Sequence, residues 1–192
     1  IFISHLHGDH YAGLVWWLLH GQHVVKRTAP LVIAGPVGIE ARFKAAAEVL
    51  FPGSTGVPPR FQMIFKEYTA ETPLEVGPAV VTPYEVRHPS GAPSYALRIA
   101  AGGRVISFTG DSEWVENLVP AGKDADFYIM ECYAFEGEPK FHTSWRTIEK
   151  NLGRIGARRV MLTHMSEGML KLRDAVSAPG VLFADDGLVV EI

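Results

Sequence analysis

An α/β architecture with sheets covered by helices is predicted by three features of the chain. Apolar runs rich in β-branched residues alternate with helical patterns along most of the length. Several strand-like runs follow one another in the middle, which separates this pattern from a simple doubly wound parallel sheet. The 192 residues, 47% of them hydrophobic, suffice for one sizeable core, so a single domain over 1–192 is expected.

The elements follow in order. "IFIS" reads as a strand and "DHYAGLVWWLL" as a helix with Leu14, Trp17 and Leu18 on one face. "PLVIAG" is a strand, and "VGIEARFKAAAEVL" a helix closed by the breaker pair Pro52, Gly53. After the poorly patterned connection "GSTGVPPR" come the strands "FQMIFKEY", "AVVTPYEVRH", "SYALRIA" and "RVISFTG", the last two joined through "AGG" as a hairpin turn. Alternation then resumes with strand "DFYIME", helix "SWRTIEKNLGRIG", strand "RRVMLTH", a short helix around "GMLKLRDAV" and "GLVVEI" as closing strand. The chain starts with Ile inside an apolar run, and strands preceding "IFIS" are expected in the complete protein.

Composition excludes several function classes. Net charge is −3 and the 18 Lys and Arg are scattered, so no broad nucleic-acid-binding surface is expected. No run approaches the ~18 apolar residues of a membrane span. The single cysteine, Cys132, rules out an intramolecular disulfide; it reads as a core thiol and fits a reducing, cytoplasmic setting.

Chemistry concentrates at "SHLHGDH", directly after the first strand. In extended backbone His5 and His7 emerge on one face, Gly8 allows a tight loop, and Asp9 and His10 follow where the helix starts. Imidazole nitrogens and carboxylate oxygens suit zinc and similar ions, and four such ligands so close could serve two metals. His20 and His23, near the end of the first helix, read as surface residues.

"SHLHGDH" resembles the signature of the metallo-β-lactamase superfamily, whose fold is an αβ/βα sandwich. Later strand ends supply His88 in "VRHPS", Asp111 in "SFTGDS" and His164 in "MLTHMS", in the order that resemblance requires. Taken singly, His88 or His164 could be a satisfied core histidine. The resemblance implies that His5, His7 and His88 hold one divalent metal, zinc or manganese, that Asp9, His10 and His164 hold a second, and that Asp111 bridges them. Such a pair lowers the pKa of a bridging water and neutralises developing charge, which implies hydrolysis by a metal-bridging hydroxide.

The segment "DFYIMECYAFEGEPKFHTSW" resembles the ribonuclease Z branch of that superfamily. It places Glu131 at a strand end and His142 before a helix, a pair implied to assist proton transfer to the leaving group. Asp9, Glu131 and His142 thus form the expected catalytic set. Against this, Glu131 could be a solvated strand end, and His142 could merely precede a helix cap at Thr143 or Ser144. Transfer-RNA-processing members often carry a long arm between the third histidine motif and the bridging aspartate, whereas His88 to Asp111 leaves room only for a short hairpin. Small or cyclic phosphodiesters, nucleotides among them, or RNA ends are therefore the expected substrates, and a homodimer is compatible. The competing readings are a lactonase or thioesterase on the same centre and a non-catalytic metal-binding accessory protein. Ser112 and Trp114 stand close to Asp111 as candidate pocket residues, and at most one of Tyr95 and Arg98 can face a site.

Overall fold

The computed structural model describes residues 1–56 and 58–192; Val57, in the connection "GSTGVPPR", lies outside the described residues. The chain forms two compact units, Ile1–Tyr68 with Ser90–Pro93, and Thr69–Pro89 with Ser94–Ile192.

In the first unit the His-rich segment runs into helices α1 (Gly8–Tyr11) and α2 (Gly13–Leu19). Leu14, Val15 and Leu18 of α2 are buried, Trp17 packs against the same core, and His20 and His23 are exposed, as their polarity predicts. Strand β1 (Leu31–Gly35) pairs in parallel with β2 (Met63–Glu67), and α3 (Ile39–Leu50) lies between them in sequence. Helix α3 buries Ile39, Phe43 and Ala47 at a spacing of four, the stripe that turns one helix face to a core. "IFIS" departs from expectation. Only Phe2 forms a bridge, to Ala34, where the Ile3 amide donates to the Ala34 carbonyl at 2.8 Å and the Ala34 amide to the Ile1 carbonyl at 2.9 Å. The segment lies beside β1 but is too briefly paired to count as a regular strand.

The second unit is built on a seven-stranded sheet in chain order: β3 (Leu74–Val76), β4 (Ala79–Val86), β5 (Ser94–Ala101), β6 (Arg104–Phe108), β7 (Phe127–Glu131), β8 (Val160–Thr163) and β9 (Val181–Phe183). Pairing is antiparallel from β3 to β6 and parallel from β6 to β9. Ala101 pairs with Arg104 across Gly102 and Gly103, whose φ values of 57° and 76° are what a two-residue hairpin with both central residues left-handed needs. Because β5 reverses direction between them, β4 and β6 run the same way as β7 and β8. All four strands therefore deliver their C-terminal ends to one edge of the sheet, where α/β sheets place their ligand sites.

Helix α5 (Trp145–Ile155) holds that edge in place. Trp145, Ile148 and Ile155 are fully buried and Leu152 partly so; they pack on Tyr128, Met130 and Leu162 of the sheet and on Met169 of α6 (Glu167–Leu172). Each large side chain buried this way contributes about 1.5–3 kcal/mol. Gly156, at φ 68°, ends α5 in the left-handed cap that glycine permits. Cys132 belongs to the same core, and burial pushes its thiol up to about 12, in accord with a structural thiol.

Two local readings are corrected, and the two residues left unassigned, Tyr95 and Arg98, can be placed. A short helix, α4 (Leu118–Gly122), contains Pro120, which hid it from the periodicity. "GLVVEI" forms no strand: the place beside β8 is taken by "VLF" of β9, while Leu188, Val190 and Ile192 line a cavity with Ile106, Phe127, Ile129 and Met161. Tyr95 is buried, and the Arg98 guanidinium donates to the carbonyls of Ala121 and Lys123 at 3.3 and 2.6 Å, holding the end of α4.

Candidate metal centre

In the first unit the backbone turns into α1 immediately after His7, whose carbonyl accepts from the amides of His10 and Tyr11. That turn brings His10 back over His5, with ring centroids 3.9 Å apart; His5 and His7 lie 5.1 Å apart at a steep angle. His5 is fully buried, and its Nδ1 is 3.1 Å from the Ser4 hydroxyl. Asp9 reaches His10, Oδ2 to Nε2 at 3.3 Å, and its side chain is 66% exposed. The fold therefore gathers the three imidazoles and the carboxylate that "SHLHGDH" predicts.

In the second unit, His88 follows β4, Asp111 follows β6, Glu131 ends β7 and His164 follows β8, all at the sheet edge described above. The His88 Nδ1 stands 2.9 Å from the Phe141 carbonyl, which can only accept, so Nδ1 donates there. The His88 Nε2 lies 3.9 Å from Oδ2 of Asp111, and His164 Nε2 lies 3.3 Å from the same oxygen. The fixed Nδ1 bond leaves Nε2 as the nitrogen that faces the carboxylate, the arrangement that orients a metal-binding imidazole. Asp111 is 4% exposed. Two groups within this unit have the donor set for a divalent metal, His88 with Asp111 and His142, and Glu131 with His142 and His164.

Glu131 is 2% exposed, which overturns the solvated strand-end reading. It accepts hydrogen bonds from the Ser112 amide and, across 3.2 Å, from the His142 ring at Nδ1. Burial, opposed by the Ser112 amide and reinforced by the Asp111 charge, pushes its carboxyl up to about 9; a cation on Asp111 would act in the opposite direction. His142 is 21% exposed at its side chain and stacks between Tyr133 and His164, with centroids 4.8 and 5.2 Å away. The cap reading holds in position, at Ser144, but not in bonding. The Thr143 hydroxyl donates to the Ser112 carbonyl at 2.6 Å, and Ser144, the N-cap residue, makes no side-chain cap bond, its hydroxyl pairing instead with Thr147.

Backbone strain is present at these loops, as it is also at Lys26, Glu71 and Asp124. His164 itself (φ 53°) and Phe141, just before His142 (φ 64°), are non-glycine residues in the left-handed region, and Gly110 (φ 59°) precedes Asp111. Such conformations cost about 1–3 kcal/mol each for non-glycine residues and persist where the surrounding structure enforces them, characteristically at functional sites. Tyr133, which stacks on His142, and the Phe141 carbonyl, which sets the His88 tautomer, were not anticipated. The adjacency of Tyr133 to Glu131 in "ECY" was an available signal for the first; nothing in the sequence marks the second.

The sequence matches the profile of the beta-lactamase superfamily domain over residues 1–165, and the chain belongs to that family. Its relatives include YhfI of Bacillus subtilis, 28% identical over 86% of this chain and 65% of that protein, and a ribonuclease Z of Bacillus licheniformis, 23% identical over 93% and 75%. Zinc phosphodiesterase ELAC protein 2 of Rattus norvegicus is 26% identical over 90% of this chain but only 23% of its own length. This chain thus spans about two thirds of YhfI and a quarter of the mammalian protein. Among solved structures, the short form of human tRNase Z superposes with a TM-score of 0.76 at 24% identity, covering 100% of this chain and 78% of that one. The metallo-beta-lactamase fold protein YhfI superposes with 0.72 at 23%, covering 97% and 74%. Both share the fold. Among the described residues no helix is long and apolar enough to cross a membrane.

Proposed function

We propose that the chain is a di-metal hydrolase that cleaves small or cyclic phosphodiesters. The observation that carries this reading is the buried Glu131 carboxylate holding the partly exposed His142 imidazole at the sheet edge that also bears Asp111 and His164. A carboxylate that orients an imidazole is suited to protonating a leaving alkoxide, a need of phosphodiester cleavage. Three further facts support it: family membership, relatives named as ribonuclease Z and zinc phosphodiesterase, and the donor sets of the two units.

In this reading His5, His7 and His88 hold one zinc or manganese ion, Asp9, His10 and His164 hold the other, and Asp111 belongs to both, as the family pattern implies. When bound, the two ions supply an activated water and neutralise charge on the attacked phosphorus group. The chain's own residues do the rest. The Phe141 carbonyl keeps His88 in the tautomer with Nε2 unprotonated, Asp111 presents an oxygen to His88 and His164, and Glu131 steadies His142 so that the ring can deliver its proton to the departing oxygen. Between His88 and Asp111 the chain makes only the β5–β6 hairpin with its two-residue turn, so a long arm for gripping transfer RNA does not form part of the proposal. Cytoplasmic operation is part of it.

The test is a substrate panel with the full-length, metal-loaded protein: bis(p-nitrophenyl) phosphate, 2′,3′- and 3′,5′-cyclic nucleotides, an acyl-homoserine lactone and a thioester. Turnover of the phosphodiesters is expected. Turnover confined to the lactone or thioester overturns the phosphodiesterase reading and keeps the hydrolase; turnover of none moves the chain to a metal-binding accessory role.

A further inference from the structure

Between α3 and β2 the first unit holds a cavity of about 510 Å³ whose lining includes none of the candidate metal ligands. Two periodicities build it. Glu40, Phe43, Lys44 and Ala47 recur at the helical spacing that sets them on one side of α3. Opposite them Phe61, Met63 and Phe65 alternate onto one side of β2 and the residues leading into it. Phe43, Ala47 and Phe61 are buried and make the floor, whereas Met63 and Phe65 are half-buried. The Phe43 and Phe65 rings stand 5.5 Å apart, tilted by 42°. The loop beside them is pinned: the Glu48 carboxylate accepts from the Gly53 amide at 2.8 Å and the Thr55 hydroxyl at 2.9 Å, and the Ser54 hydroxyl donates to the Ala47 carbonyl at 3.2 Å. The cavity is therefore formed in advance of any occupant.

Charge at its rim is unbalanced. Lys44 is neutralised by Glu40 at 2.7 Å on the same helix, and Glu48 is committed to the loop. Arg60 is exposed, and among the described residues no acidic side chain pairs with it. An aromatic floor below one uncompensated guanidinium selects a ring system that carries a single carboxylate. Rings gain from tilted and edge-to-face contact with phenylalanine, and the planar guanidinium fork takes two carboxylate oxygens together. A volume of about 510 Å³ is that of a small-molecule pocket and leaves room for two fused rings with a short acidic arm.

We infer that this cavity is a second ligand site, which takes an aromatic monocarboxylate with its rings on Phe43, Phe61 and Phe65 and its carboxylate on Arg60. The site stands independently of the phosphodiesterase reading, since no residue invoked there lines it.

The probes are 1-naphthaleneacetate, its neutral counterpart 1-naphthaleneethanol, and octanoate, which keeps the charge without the rings. Their binding to the metal-loaded full-length protein is read by calorimetry. Naphthaleneacetate is expected to bind on the order of tenfold more tightly than the alcohol, as a charge-assisted bidentate contact allows, and several-fold more tightly than octanoate. Arg60→Gln should remove the preference for the acid over the alcohol, and Arg60→Lys should restore part of it. Phe65→Ala should weaken both naphthalene compounds several-fold. Arg60 is exposed and Phe65 half-buried, and a circular dichroism spectrum unchanged from the parent establishes that the variants fold. A carboxylate can also reach a metal, so the same titration is made with Asp111→Ala, where binding of the acid should persist. No saturable binding, an acid preference untouched by Arg60→Gln, or binding lost in Asp111→Ala while Arg60→Gln keeps it overturns the site. Octanoate binding more tightly than naphthaleneacetate overturns the assignment to aromatic acids.

Discussion

Gly122 ends α4 against the ring of Tyr128, and replacing it with alanine should destabilise the second unit without touching the metal ligands. A Cβ at position 122 would stand 2.2 and 2.3 Å from two ring carbons of Tyr128 and 2.8 Å from Cγ2 of Ile155. Carbon atoms pack at ~3.5–4.0 Å, so the ring has to move by more than ~1 Å. It has nowhere to go: Tyr128 is fully buried on β7, and its hydroxyl donates to the Leu118 carbonyl at 3.0 Å. Overpacking of this kind costs about 1–3 kcal/mol. The strained hydroxyl bond adds about 1 kcal/mol, and the better helix propensity of alanine returns up to ~1 kcal/mol. A net loss of about 2 kcal/mol is expected, which at an m-value of ~2 kcal/mol/M lowers the urea midpoint by ~1 M. Tryptophan fluorescence during urea titration measures it, and Gly122→Ala combined with Tyr128→Leu should recover part of the loss because the smaller side chain opens the space. An unchanged or raised midpoint for Gly122→Ala would mean that the Tyr128 ring has room to move and that no overpacking arises there.

Other consequences bear on the site. Glu131→Ala and His142→Ala should each lower kcat on a phosphodiester with an alkoxide leaving group by ~10²- to 10⁴-fold, with the double variant losing little more, as members of one unit are non-additive. With p-nitrophenolate, which hardly needs a proton, the loss should shrink; an equal loss on both substrates would leave the pair a positioning role only. The Cys132 thiol, pushed up to about 12 by burial and by the charge of Glu131, stays protonated across pH 6–9, so iodoacetamide at pH 8 should modify it in urea but not in the native protein; rapid native labelling would contradict its place in the core. His88→Ala should reduce metal affinity without loss of fold, read as a lowered metal content at an unchanged circular dichroism spectrum.

How much of this was legible in the sequence depended on the range of the forces involved. "SHLHGDH" could be read because its ligands are local, set by an extended stretch turning into a helix within six residues. His88, Asp111 and His164 could be placed because each directly follows a short β-branched run, and the parallel direction of β4, β6 and β8 then brings their ends to one edge. Glu131 and His142 were found by position, but their contact, through a loop of ten residues bent by a left-handed Phe141, was not. The failures have a common cause. "IFIS" and "GLVVEI" carry strand-like composition, yet whether an apolar run pairs or merely covers a face is decided by which neighbour already occupies the sheet edge, a property of the whole fold. Helix α4 and the tautomer-setting carbonyl of Phe141 likewise depend on tertiary contacts that no local pattern records.

A two-metal centre is tested most directly by elemental analysis of the purified full-length protein and of Asp111→Ala. Close to two equivalents of zinc or manganese per chain are predicted for the parent protein, and loss of metal from both positions is predicted for the variant, because one carboxylate oxygen serves His88 and His164 together. A parent protein that holds a single equivalent, or an Asp111→Ala variant that keeps its full complement, would contradict it.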